Sequence, residues 1–229
     1  MRTVIIAATV TLMTAGTLLA QERGGQQASG YVTGLGGFAT SVGNTTADVA
    51  AEAGVRIAPH LMVFGNIGRF ANLQADLQPT LDSATASLSA SQGLSVIGGG
   101  KLPASYGLGG LRLELPTRFR VMPYALGGIG VARLSPTTQF IFSGGTMPDG
   151  SIPDVGADVT TAIVSSGVVS APSASNAFMF TAGGGVQVPV ARHWVADAGY
   201  RYCRIAADTT LSASPLSTNG MTFGVGYRF

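Results

Sequence analysis

The sequence predicts an all-β fold, an eight-stranded antiparallel up-and-down transmembrane β-barrel preceded by a signal peptide. Apolar residues alternate with small or polar residues over segments of about ten residues, and these segments are joined by alternately short and long connections. The 229 residues are 46% hydrophobic and 10% charged, and they include 33 Gly. An ordinary soluble domain carries roughly 25% charged residues and roughly 7% Gly. A chain this apolar and this poor in charge is typical of a membrane protein.

The composition also excludes several classes of protein. A formal net charge of +2 is far too small for a nucleic-acid-binding surface, so we expect no nucleic-acid partner. One Cys excludes a disulfide framework and a multi-Cys zinc site, and two His leave little room for a metal cluster. We therefore expect no metal and no cofactor.

The first twenty residues have the layout of an export signal. Met1 and Arg2 form a short basic start, and residues 4–19 are an uncharged, mostly apolar run that ends at Ala20, the expected cleavage site, with Ala28 as the alternative. Residues 21–29 would then form a periplasmic tail, and residues 30–229 the barrel. The alternative, a membrane-anchoring helix, is disfavoured because the run is at the short limit of the roughly 17–25 residues that a spanning helix needs.

Four segments show strict period-two alternation, which predicts strands with one apolar and one small or polar face. In the last of them, Met221, Phe223 and Val225 alternate with glycine and threonine. The four segments are 50–58, 176–190, 193–205 and 218–229.

Four further segments are strand-like with weaker alternation. The apolar phase slips at the glycine pairs 109–110 and 127–128, where we expect β-bulges or bends. These segments are 30–40, 61–72, 103–115 and 121–134.

The connections between the predicted strands alternate in length. Short turns at 58–60, 116–120 and 191–192 would all lie at one end of the barrel, opposite the longer loops. We expect a short helix near Pro79 in the second long loop, and an extra hairpin in the third with residues 162–169 as its apolar strand. The predicted long loops are 41–47, 73–102, 135–175 and 209–217.

Charged residues share the glycine-rich face of the predicted strands. Facing lipid at the membrane midplane, each Arg would cost roughly 2–4 kcal/mol, so this face is expected to line the lumen. The charges would form a salt-bridged plug, because eight strands leave an interior just wide enough for side chains; the alternative is a narrow ion or solute path along the same residues. The predicted lumen network is Glu52, Arg56, Arg112, Glu114, Asp197, Arg201 and Arg228.

The C-terminus and the glycine-rich hairpins carry a resemblance to a known family. Residues 224–229, with Tyr227 and the terminal Phe229, resemble the insertion signal of outer-membrane barrels. Residues 105–110 and 123–133 are similar to hairpin strands of the outer membrane protein A transmembrane domain and the opacity-type surface proteins. The resemblance implies a bacterial outer-membrane location, insertion by the barrel-assembly machinery, a periplasmic N-terminus and long loops outside.

The charge distribution agrees with that orientation. The short turns carry basic residues, whereas the long loops and their edges carry aspartates, with Lys101 as the only cation expected there. Acidic loops suggest divalent cations that bridge lipopolysaccharide phosphates, although plainly solvated loop charges are the simpler interpretation. The loop-end aspartates are Asp48, Asp76, Asp82, Asp149, Asp154, Asp158 and Asp208.

No arrangement of residues indicates catalysis. His60 and His193 lie at short turns, away from the outer rim, and no His is placed to activate Cys203. We therefore predict a non-catalytic protein with a structural or surface-interaction role, whose partners are outer-membrane lipid and lipopolysaccharide and whose surface ligand the sequence does not name. The alternatives are a small passive porin-like channel and a soluble periplasmic ligand-binding barrel.

Overall fold

The computed structural model describes residues 29–41, 44–73, 77–115, 117, 120–167, 169, 173–206 and 215–229. The predicted signal peptide at 1–20 lies outside the described residues, as does the predicted tail except for Ser29.

The described residues form ten strands and two helices. In chain order these are β1 (Gly30–Ser41), β2 (Asn44–Ala58), β3 (Leu61–Phe70), α1 (Leu77–Gln92), β4 (Ser95–Lys101), β5 (Ala104–Glu114), β6 (Met122–Leu134), β7 (Thr137–Gly144), α2 (Thr160–Ser165), β8 (Ser175–Pro189), β9 (Trp194–Ala206) and β10 (Leu216–Arg228).

Eight of the strands close into an antiparallel barrel, which confirms the predicted fold class. The order around the barrel is β1-β10-β9-β8-β6-β5-β3-β2, so each strand pairs with its neighbour along the barrel wall. The first and last strands close the cylinder, with Tyr31 opposite Arg228 and Thr40 opposite Asn219. Because closure pairs the backbone of every wall strand on both sides, this wall can stand in lipid.

The apolar face of the wall points outward. Phe180, Tyr200, Phe223 and Tyr227 are between 37% and 51% exposed, although they are large and apolar. The opposite face of the same strands is buried and carries the charged side chains Asp197 and Arg201. A soluble barrel has the reverse arrangement.

The β2–β3, β5–β6 and β8–β9 connections lie at one end of the barrel, here called the turn end, and the other end is called the loop end. The prediction of a long connection at 41–47 is wrong: Ser41 pairs with Asn44, so only two residues separate β1 from β2. The polar Thr and Asn residues that suggested a loop here continue the period-two pattern of β2 and extend it to the rim. For the loop predicted at 209–217, residues 209–214 lie outside the described part, and β10 begins at Leu216.

The phase slips expected at 109–110 and 127–128 do not occur. Pairing between β5 and β6 runs from Ala104–Leu134 to Glu114–Tyr124, with Gly110 opposite Gly128 and no change of register. The alternation looked broken because the inward face changes from charged near the turn end to apolar near the loop end. In β5, for example, Arg112 and Leu108 both point inward.

One hairpin continues beyond the barrel. β4 and β7 form a second sheet in which Lys101 lies opposite Thr137, three residues from the last barrel pair on each strand, Ala104–Leu134. A backbone hydrogen bond of 3.0 Å from Ser135 N to the Pro103 carbonyl spans the interval. The β5–β6 ladder therefore extends in unchanged register above the loop end.

A small subdomain of α1, β4, β7 and α2 surrounds this extension. The helix expected near Pro79 is α1, and it lies over β4, where Thr85 and Leu81 cover Gly98. The extra hairpin expected in 135–175 pairs differently: its strand is β7, whose partner is β4, and residues 160–165 form α2. The subdomain buries Leu81, Leu88, Leu94, Phe140, Phe142, Met147, Val159 and Ile163.

Within the part of the chain that the structure describes, neither helix is long and apolar enough to cross a membrane.

Candidate functional site: the charged lumen

The seven side chains predicted to line the lumen all point into the barrel, and they form two groups. The first lies near the turn end, where Glu114 accepts hydrogen bonds from Arg56, at 2.6 Å, and from Arg228. The second nitrogen of the Arg228 guanidinium contacts Met122 Sδ at 2.9 Å. This triad connects β2, β5 and β10 across the lumen, so it ties the last strand to the opposite wall.

The second group is centred on Glu52, which is only 2% exposed. Its Oε2 accepts a hydrogen bond from Arg201 Nη2 at 2.6 Å, and its Oε1 one from Arg112 Nη1 at 3.3 Å. Tyr31 Oη donates to Oε1 at 2.7 Å and Asn66 Nδ2 to Oε2 at 3.2 Å. Four donors from four strands therefore converge on one carboxylate.

Asp197 supports the same group from the other side. It accepts hydrogen bonds from Tyr124 Oη and from Gln187 Nε2, both at 2.8 Å. Its Oδ2 lies 3.8 Å from Arg112 Nη2, so the Arg112 guanidinium stands between two carboxylates. We call Glu52, Arg112, Asp197 and Arg201, with the tyrosines and amides that bond them, the central cluster.

Arg112 also lies between two aromatic rings. Its Cζ is 3.6 Å from the centre of the Tyr124 ring and 4.7 Å from that of Tyr31, within the range of cation–π contacts. Arg112 is 1% exposed and is among the largest fully buried side chains of the protein. Its two terminal nitrogens therefore face carboxylates and its plane lies against π-faces, whereas its Nε has no hydrogen-bond partner among the described residues.

The lumen glycines make room for these tyrosine rings. A Cβ added at Gly54 would lie 2.5 Å from Cε1 of Tyr31, and one at Gly199 would lie 2.7 Å from Oη of Tyr124. The space that the glycine-rich face suggested is thus filled by aromatic rings from other strands of the barrel wall.

The structure adds a carboxylate that the sequence interpretation placed in a loop. Asp48 points into the lumen, is 7% exposed and accepts a hydrogen bond from Tyr106 Oη at 3.0 Å. The assignment to a loop edge was wrong because β2 begins at Asn44 and not at Ala50. Continuing the period-two alternation of lumen-facing residues from Glu52 back through Ala50 would have placed Asp48 on the same face.

Space in this part of the lumen is small. A cavity of about 10 Å³ is bordered by Asp48, Arg201 and Cys203, which is room for about one water molecule. Above it, towards the loop end, the lumen is filled by the buried apolar side chains Phe70, Leu134, Met179, Ile205 and Leu216.

Cys203, the candidate nucleophile, lies far from His60 and His193, the two side chains that could activate it. Cys203 is buried in the lumen with its Sγ 3.4 Å from Thr181 Oγ1. His60 lies in the β2–β3 turn, and the His193 ring stacks on Tyr227 at 5.4 Å between ring centres, at the turn end. The described residues contain no group of three His, Cys, Asp or Glu side chains placed to hold a metal ion.

Two of the loop-end aspartates are engaged in local hydrogen bonds. Asp149 Oδ1 accepts from Ser151 Oγ at 2.6 Å, and Asp158 Oδ1 accepts from Thr160 N and Oγ1 at 3.0 and 2.6 Å. These bonds favour the carboxylate form and lower the pKa of both groups. Asp76 and Asp208 lie outside the described residues.

Three comparisons place the chain among known proteins. Residues 5–229 match the family model described as the outer membrane protein beta-barrel domain. No curated protein matches the chain in sequence. The crystal structure of Neisserial surface protein A is similar in fold, with 16% identity and a TM-score of 0.51 over 89% of this chain and 100% of that one.

Two further solved structures align with lower TM-scores. Ail, the attachment invasion locus protein of Yersinia pestis, aligns with 13% identity and a TM-score of 0.45 over 89% of this chain and 100% of that one. OprG from Pseudomonas aeruginosa aligns with 11% identity and a TM-score of 0.45 over 90% and 98%. The family match covers nearly the whole chain and agrees with the closed barrel and its outward apolar face. The chain therefore belongs to the outer membrane protein beta-barrel domain family, and the protein is a β-barrel of the bacterial outer membrane.

Proposed function

We propose that the protein is a non-catalytic, non-conducting outer-membrane barrel that carries a structural or surface-interaction subdomain at its loop end. The observation that carries the proposal is the central cluster, which fills the lumen with charges that are already paired. Glu52 alone is bonded by side chains from β1, β3, β5 and β9.

A conducting path would need a continuous column of water. Across the central cluster, Glu52, Arg112 and Asp197 are each at most 5% exposed, and the aromatic rings of Tyr31 and Tyr124 flank them. Breaking a buried ion pair by removing one partner costs about 3–5 kcal/mol, so thermal opening of several pairs together is rare. This argues against the porin-like alternative.

The soluble periplasmic alternative conflicts with the outward apolar wall and with the family to which the chain belongs. Absence of catalysis is supported by the placement of His60 and His193 at the turn end, and by burial of Cys203 beside a threonine hydroxyl.

The test is planar-bilayer recording of the purified, refolded barrel. We expect no stable unitary conductance from the wild type. Arg112→Ala removes the largest buried side chain of the central cluster and serves as the variant with an opened lumen. Arg192→Ala is the matched control, because it removes an arginine from an exposed turn. Stable unitary conductance of the wild type would replace this proposal with the porin-like channel.

The expected partners are the lipid and lipopolysaccharide of the outer membrane and, during insertion, the barrel-assembly machinery. The insertion role proposed for Tyr227 and Phe229 is supported by their place on the closing strand. Tyr227 is exposed on the outer wall, and the Phe229 backbone exchanges two hydrogen bonds with Gly30 of the first strand.

A further inference from the structure

The charged residues of the barrel strands are sorted by face. All four carboxylates, Asp48, Glu52, Glu114 and Asp197, are buried in the lumen. The charged side chains that point outward from the described barrel strands are all arginines, and they lie near the loop end: Arg69, Arg133 and Arg204.

Two of these arginines are brought together by the register of the strands. Arg69 of β3 lies opposite Ser105 of β5, and Ser105 lies opposite Arg133 of β6. The row continues to Asn176 of β8. All four side chains are exposed on the outer wall. Because neighbouring strands are about 4.8 Å apart, the two arginines flank Ser105 at a backbone separation of about 10 Å.

This row stands at the upper limit of the apolar wall. The next outward residues towards the turn end are Ile67 below Arg69 and Val131 below Arg133, and these are 67% and 62% exposed. The row therefore lies where the hydrocarbon of the membrane gives way to headgroups. Beyond it, Lys101 lies on the same outward face of the continuing hairpin.

The arginines have no partner within the described protein. Among the residues that the structure describes, the side chains of Arg69 and Arg133 form no hydrogen bond or ion pair, in contrast to the lumen arginines, each of which faces a carboxylate. The two unpaired guanidinium groups present planar donors that match phosphate geometry, and the hydroxyl and the amide of the same row add further donors.

We propose that Arg69, Ser105, Arg133 and Asn176 form a lipid-facing clasp for the phosphate groups of an outer-leaflet glycolipid. The occupant is a phosphorylated glycolipid and not free phosphate, because the row is continuous with the apolar wall on which acyl chains would lie. Direct arginine–phosphate contact replaces the calcium bridging suggested by the acidic loops. The inference rests on the proposed outer-membrane lipid partner and names the residues that hold it.

The chain offers matched controls. Arg120 and Arg192 are exposed at the turn end, so Arg120→Ala with Arg192→Ala removes the same charge from the opposite side of the membrane. Arg204 is exposed on the same wall but lies between Phe180 and Ser217, with no second arginine in its row.

The experiment measures equilibrium binding of diphosphorylated lipid A to the refolded full-length barrel in a maltoside detergent, with dephosphorylated lipid A and inorganic phosphate as parallel probes. We expect the diphosphorylated lipid to bind at least tenfold more tightly than either other probe. Arg69→Ala with Arg133→Ala should weaken its binding at least tenfold, the turn-end pair less than twofold, and Arg204→Ala less than threefold. Arg69→Lys with Arg133→Lys, which keeps the charge and loses the planar fork, should give an intermediate loss and replaces the alanine pair if that pair does not fold.

Equal affinity for the dephosphorylated lipid would overturn the clasp, as would an equal loss in the turn-end pair. Binding of inorganic phosphate as tight as that of the lipid would overturn the choice of a lipid occupant. Conductance of the lumen is measured separately, so failure of the proposed non-conducting barrel and failure of the proposed phosphate clasp give distinguishable results.

Discussion

Glu52→Gln tests whether the central cluster stabilises the barrel through its charge. The substitution keeps the side-chain volume but removes the carboxylate that Arg201 and Arg112 both face. Arg112 keeps Asp197 at 3.8 Å, whereas Arg201 loses its one ion-pair partner among the described residues. Removing one partner of a buried pair costs about 3–5 kcal/mol, and we expect a loss of that size in the free energy of unfolding.

The assay is urea unfolding of the barrel in lipid vesicles at neutral pH. Trp194 is the only tryptophan and lies at the turn end, 51% exposed on the outer wall, so its fluorescence reports the barrel leaving the bilayer. Asp154→Asn removes a negative charge from an exposed part of the loop end and should change the free energy by less than about 0.5 kcal/mol.

A second variant separates charge from packing. Glu52→Gln with Arg201→Met removes both partners and should lose less than Glu52→Gln alone, because no unpaired guanidinium remains buried. A loss below about 1 kcal/mol in the single variant, or a greater loss in the double variant, would refute the reasoning.

Four further outcomes are expected. Gly54→Ala should displace the Tyr31 ring, which a Cβ would meet at 2.5 Å, and destabilise the barrel by about 1–3 kcal/mol in the same urea assay; Gly34→Ala, where a Cβ meets nothing within 4 Å, should not. Leu88→Ala should destabilise the subdomain by about 2–5 kcal/mol because Leu88 is fully buried there, so proteolysis of intact cells should cut the subdomain faster while the barrel keeps its heat-modifiable gel migration. Deletion of Phe229 should lower the amount of barrel recovered in the outer membrane relative to Phe38→Ala, an equally outward aromatic near the loop end; equal recovery would remove the insertion role. The pKa of Asp158 is depressed in the folded protein, so its contribution to the start of α2 is present above the ordinary aspartate pKa and is lost as the pH falls through the lower folded value; carboxyl NMR titration should place the pKa of Asp158 below the ordinary aspartate value, and a pKa at or above that value would contradict the hydrogen-bond assignment.

The sequence was sufficient to predict those strands of which one face meets lipid. Alternation in residues 193–205 and 218–229 predicts the outward aromatic face, because lipid contact demands apolar side chains at every second position. The short turn at 58–60 was equally readable, since β2 ends at Ala58 and β3 begins at Leu61.

The inward face was harder to predict because its partners come from distant strands. Glu52 is bonded by Arg201, 149 residues away, and not by Arg56 four positions along its own strand. A residue four positions along a strand is about 13 Å away, beyond side-chain reach, so closure of the barrel and not sequence spacing chooses the ion pairs. The change from charged to apolar inward residues in β5 is likewise a property of depth in the lumen, which alternation alone does not encode.

The continuous ladder from β5–β6 into β4–β7 sets how the outermost surface of the protein behaves mechanically. The pairs from Lys101–Thr137 to Val96–Phe142 continue the register of the barrel wall over about 20 Å, and the register shifts by one residue at Ser95. Because this hairpin is hydrogen-bonded in register with the barrel strands, a force applied to the subdomain is carried by the inter-strand hydrogen bonds of the barrel and not by a flexible linker. A molecule that binds the subdomain therefore meets a surface whose orientation relative to the barrel and the membrane is fixed.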